Sequence, residues 1–154
     1  MKARILSEPG TEGREEFLGS AETIREIAKD AGPGDRYVDI VLIDRAGMEV
    51  LNRDYKKRKG AAEVLTFPYR EDEFREIDSS LCGEIYLCWQ PVCEGAAARG
   101  VNPGLYLLRL VVHGICHLLG YSHHHEKNAE EMEEEEIKRM SAYADSAAMK
   151  KLFS

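Results

Sequence analysis

Residues 101–120, VNPGLYLLRLVVHGICHLLG, are the segment of this chain with the fewest structural options. Asn102 is a good helix N-cap, Pro103 suits the first turn, and Gly120 can end a helix in a left-handed conformation. Between them Leu105, Leu107, Leu108, Leu110, Val111, Val112, Ile115, Leu118 and Leu119 cover most of a helical circumference. A helix that is apolar nearly all round must be enclosed by other elements. It is no membrane span, because the apolar run is shorter than the ~20 residues a bilayer needs and is interrupted by Arg109, His113 and His117. The rest of the chain must therefore supply layers that pack around it.

The flanking sequence has the patterns to do so. Residues 3–6 read as a short strand, and Phe17, Leu18, Ala21, Ile24 and Ala28 recur at helical spacing up to the AGPGD turn. The run YVDIVLI at 37–43 is a β-branched strand, and Asp44 can cap a helix carrying Met48, Val50, Leu51 and Tyr55. EVLTFPY gives a third strand ending at Pro68, residues 70–80 a polar loop, and GEIYL at 83–87 a fourth strand. Residues 90–99 are alanine-rich and helical, and a last helix is expected over 128–153, with Ala129, Met132, Ile137, Met140 and Ala144 on one side. The expectation is an α/β (α+β) single domain over residues 1–154: a small mixed four-stranded sheet packed with about five helices. At 154 residues the chain is long enough for one such core.

The N-terminal MKARILSEPGTEG lacks the apolar run of a signal peptide, which predicts a soluble, cytoplasmic protein without a membrane partner. Cys82, Cys88, Cys93 and Cys116 form no CxxC pair, so a four-cysteine zinc ribbon is not expected and the thiols read as buried, reduced residues. The formal net charge is −7, much of it in EKNAEEMEEEE at 126–136, which reads as a solvated face with no site role. Against this background RDYKKRK at 53–59 is one concentrated positive cluster.

All five histidines fall within residues 113–125, HGICHLLGYSHHH. His113 and His117 stand four apart, so their Cβ atoms project from one helical face about 6 Å apart. Gly120 lets the chain reverse, and His123 can swing back to complete a trigonal set. His-x3-His-x2-Gly-x2-His thus offers three ligands to one zinc ion and leaves the fourth position open, the arrangement of catalytic zinc. It would sit at the end of the central buried helix. His124 and His125 read as exposed loop residues. Cys116 lies between two candidate ligands in sequence but is turned partly away by the helix. Metzincin peptidases share this spacing, but their general base is a glutamate directly after the first histidine, where this chain has Gly114.

The stretch resembles the HGxxHLxGYDH signature of the YbeY family of bacterial zinc endoribonucleases, and other segments extend the likeness. LNRDYKKRKGAAEVLTFPY is similar to the family's LNxxYR segment leading through a basic loop to a VLSFP strand. CGEIYL resembles its LGDI strand, and NAEEMEEEE its following helix, so that ordered matches run from about residue 38 to 140. The resemblance implies a single α/β domain and cleavage of single-stranded RNA in ribosomal RNA 3′-end maturation and ribosome quality control. It also implies ribosomal RNA as substrate, and the small ribosomal subunit or its associated factors as partners. Two positions depart from the pattern: Ser122 stands where the family has aspartate, and Lys56 where it has an arginine important for activity. Lysine keeps the charge but loses the bidentate fork, and Arg58 lies two residues away. Lys56 and Arg58 are therefore the candidate catalytic cations beside a zinc held by His113, His117 and His123. Two other classes remain compatible with these residues: a ribosome-associated RNA-binding factor whose zinc is structural, and a zinc peptidase, which Gly114 disfavours.

Overall fold

In the computed structural model the described residues are 1–32, 34–69, 80–121 and 126–154. Four strands, β1 (Lys2–Ser7), β2 (Tyr37–Ile43), β3 (Val64–Pro68) and β4 (Leu81–Cys88), form one sheet in the order β1-β2-β4-β3. β1 and β2 are parallel, as are β2 and β4, while β3 runs antiparallel to β4 as an edge strand. The sheet is mixed and four-stranded, as expected.

Alternation along β4 divides the molecule. Ile85 and Leu87 point to one face, Tyr86 and Cys88 to the other. The first face carries the main core, in which Val38, Ile40, Leu42, Ile85 and Leu87 meet Ile24, Leu107, Val111, Ile115 and Met132 from the helices. At its centre lies α5 (Pro103–Leu118), with Leu107, Val111, Val112 and Ile115 fully buried. Asn102 caps it, accepting a hydrogen bond from the Gly104 amide at 2.8 Å. Gly120 follows at φ 99°, a conformation that favours glycine, and the Tyr121 amide returns to the Cys116 carbonyl at 3.1 Å. The second face carries a smaller cluster around Met48, Leu65 and Cys88, covered by α3 (Arg45–Lys56), whose N-cap is Asp44.

The described residues hold seven helices, more than the five expected, because two periodic segments are each broken once. The first divides at Gly19 and Ser20 into α1 (Arg14–Gly19) and α2 (Ala21–Asp30). The last divides into α6 (Glu126–Met140) and α7 (Ser146–Leu152), since the Asp145 carboxylate accepts from the Ala148 amide at 2.8 Å and starts a new helix. α4 (Trp89–Arg99) completes the set. The polar loop at 70–79 lies outside the described residues.

Candidate metal centre

The last two turns of α5 present His113 and His117 sideways, between the sheet and α6. Gly114 accounts for that orientation: a Cβ there would come within 2.7 Å of Ile85 Cδ1, so this face of the helix is pressed against β4. A glutamate at that position would point into the core and away from the histidines. The packing at Gly114 thus disfavours the peptidase base, as the sequence does.

The two imidazoles meet edge to face, with ring centroids 4.7 Å apart and planes at 89°. Their Nε2 atoms converge to 3.2 Å. Two nitrogens each about 2.0–2.1 Å from one zinc ion at a tetrahedral angle would stand about 3.3 Å apart, so the pair already has the bite of a shared metal.

Behind His113 stands Glu136 of α6. Its Oε1 lies 2.9 Å from His113 Nδ1, and the residue is only 4% exposed. With the carboxylate ionised it accepts the Nδ1 proton, which leaves the Nε2 lone pair facing His117. Such a buttress fixes ring orientation and tautomer, the usual arrangement behind a metal-binding histidine. The glutamate run reads from sequence as a solvated face, and at Glu136 this is corrected. Glu130, Glu131, Glu133 and Glu134 do face solvent, but Glu136 continues the buried stripe of Met132 and Met140 at four-residue intervals. The expected stripe passed through Ile137, which is 40% exposed.

Among the described residues no group of three His, Cys, Asp or Glu side chains converges as a metal site. The expected third ligand, His123, lies outside the described residues, as do Ser122, His124 and His125. Cys116 is fully buried, and burial pushes its thiol up to about 12. The other cysteines are free as well.

On the far side of His113 a cleft of about 340 Å³ is lined by Arg99, Arg109, His113, Met132, Glu133 and Glu136, among others. Arg109 is one turn before His113 on the same face of α5. Its guanidinium lies over the Phe153 ring, 4.3 Å from the centroid, and donates to the Leu152 carbonyl. The two basic candidates, Lys56 and Arg58, lie at the end of α3 and just after it. Lys56 ends α3 with its Nζ 5.7 Å from the Phe67 ring, in the layer on the second face of the sheet, and Arg58 follows in the exposed loop. The structure brings His113, His117 and Glu136 together.

The family model described as Endoribonuclease YbeY matches residues 11–144. The chain belongs to the YbeY family. Among curated proteins it is 36% identical over 107 residues to the Endoribonuclease YbeY of Neisseria meningitidis serogroup C, a match spanning 68% of this chain and 63% of that protein. It is 38% identical over 124 residues to the Endoribonuclease YbeY of Aromatoleum aromaticum, spanning 80% and 76%. Among solved structures, the solution structure of TM1509 from Thermotoga maritima superposes with a TM-score of 0.62 at 33% identity, covering 90% of this chain and 86% of that one. The family and the YbeY-like mixed α/β fold thus agree with the resemblance drawn from sequence.

Proposed function

We propose that this chain, as one domain over residues 1–154, is a zinc-dependent endoribonuclease. It hydrolyses phosphodiester bonds of single-stranded ribosomal RNA in 3′-end maturation and ribosome quality control. The observation that carries the reading is the 3.2 Å convergence of the His113 and His117 Nε2 atoms with Glu136 braced behind, in a chain whose relatives bear the name endoribonuclease.

His113, His117 and His123 would hold one zinc ion. When bound, zinc supplies a Lewis acid for a phosphoryl oxygen and acidifies its water. The chain's own groups do the rest. Glu136 keeps Nδ1 of His113 protonated and Nε2 available, and so sets the direction in which the site faces. Gly114 seats the helix on Ile85 and fixes the depth of both imidazoles. Lys56 and Arg58 supply positive charge to RNA phosphates, where an acidic protein would otherwise repel them.

The partners are single-stranded RNA and, through it, the small ribosomal subunit or its associated factors, in the cytoplasm. Among the described residues no helix is long and apolar enough to cross a membrane. The test is turnover: purified protein, with substrate in excess, is given matched single-stranded and duplex ribosomal RNA fragments with and without chelator. Repeated, chelator-sensitive cutting of the single strand is expected. RNA left intact at any enzyme excess would make this a binding factor instead.

A further inference from the structure

The basic cluster contains an aromatic residue that the reaction does not use. Tyr55 is 66% exposed, the most open of the large hydrophobic side chains among the described residues. It stands on the last turn of α3 beside Arg53, Lys56, Lys57, Arg58 and Lys59. Its ring meets Phe67 nearly at right angles, with centroids 5.3 Å apart and planes at 72°. Phe67 meets Tyr86 the same way, at 5.8 Å and 78°. In an edge-to-face contact Tyr55 offers Phe67 either its edge or one face, so at least one face of the ring stays open.

The setting is built to hold its shape. Lys57 adopts φ 56°, alone in the left-handed region among the described residues other than glycine, and this turns the chain sharply at the end of α3. The Arg58 amide then donates to the Asn52 carbonyl at 3.2 Å. The buried Asn52 side chain donates to the Gly60 carbonyl at 3.0 Å, tying both ends of the basic loop to one residue. Lys56 Nζ lies over Phe67, 5.7 Å from its centroid. Arg53 pairs with Asp54 at 3.0 Å and Lys57 Nζ donates to the Asp54 carbonyl at 3.0 Å. An open aromatic ring, braced by two others and followed in sequence by cations on a fixed loop, is the pairing by which proteins hold unpaired nucleic acid: the cations take the backbone and the ring takes a base.

We propose that Tyr55 is a stacking platform for one unpaired base of the RNA, with Lys56, Lys57 and Arg58 on its flanking phosphates. This rests on the endoribonuclease reading and adds a source for single-strand preference. A base inside a duplex is stacked on both faces and has none to give to Tyr55, whereas a single strand does. The charge complementarity is local, since the whole chain carries −7.

The experiment uses the full chain and a single-stranded oligoribonucleotide with one internal 2-aminopurine, which reports stacking by quenching, read at times shorter than a turnover. Wild type should quench it on binding. Tyr55→Phe and Tyr55→Trp should keep affinity and quenching. Tyr55→Ala, and Tyr55→Leu as an apolar control, should bind about 5- to 100-fold more weakly and lose the quenching. Because no charge is removed, the salt dependence of binding should keep its slope, unlike that of variants at Lys56 or Arg58. In turnover, Tyr55→Ala should raise KM far more than it lowers kcat. If Tyr55→Ala binds and quenches as wild type does, the platform is refuted while the nuclease reading stands. A wild type that binds neither single strand nor duplex overturns both.

Discussion

Glu136 Oε1 stands 2.9 Å from His113 Nδ1, joining the glutamate-rich α6 to the last turns of the apolar α5. A buried carboxylate is costly unless a donor meets it, so the two helices are held in register by the same contact that sets the histidine's tautomer. Glu136→Gln keeps size and shape but lets the amide turn either its oxygen or its nitrogen towards Nδ1. Zinc affinity, measured against a competing chromophoric chelator, should fall by about 10- to 100-fold. An unchanged zinc affinity in a folded Glu136→Gln protein would show that the contact holds helices together and nothing more.

The basic cluster gives a prediction of a different form. Each phosphate contact that is lost should lower the slope of log K against log salt by about one. The Lys56→Ala, Arg58→Ala double variant should therefore bind single-stranded RNA with a slope shallower by about two, and cleave it more slowly, with zinc content unchanged. Lys56→Arg should match or exceed wild type, because it restores a bidentate fork. A double variant with the wild-type slope and rate would reduce the cluster to surface charge.

How much of this was readable beforehand depended on whether a residue's neighbours were local. The Asp44 and Asn102 caps, the turn at Gly120 and the i,i+4 histidine pair are set within a few residues, and each is found where the sequence puts it. Glu136 was not legible because its partner is 23 residues away on another helix and its neighbours are also glutamates. The signal that finds it is the four-residue phase shared with Met132 and Met140. The break between α6 and α7 was masked because Asp145 lies in an otherwise helical composition, and only its cap to Ala148 reveals a new start. Tyr55 was read as part of a helix face, and its exposure emerged only when α3 was seated on the sheet.

Two tyrosine hydroxyls with raised pKa values contribute to stability at alkaline pH. Tyr106 is 2% exposed and donates to Glu63 Oε2 at 2.7 Å; burial first, and then that hydrogen bond, push its phenol up to about 12. Burial and Glu84 do the same for Tyr69, also to about 12. Because the folded pKa is raised above the unfolded value near 10, these groups stabilise the fold fully below about pH 10. That stability is lost as pH rises from about 10 towards 12. Urea midpoints should accordingly be insensitive to these tyrosines up to about pH 9 and fall steeply above 10, with a delayed rise of tyrosinate absorbance. Replacing Tyr106 with phenylalanine should flatten its share of that fall, and an identical alkaline profile would contradict the assignment.

The most direct test of the central claim is zinc stoichiometry measured beside single-stranded RNA cleavage for wild type, His117→Ala, His123→Ala and His124→Ala. The account predicts about one zinc per wild-type chain and chelator-sensitive cutting, both lost in His117→Ala and His123→Ala and both kept in His124→Ala. Cleavage at the wild-type rate by a folded, zinc-free His117→Ala protein would contradict it.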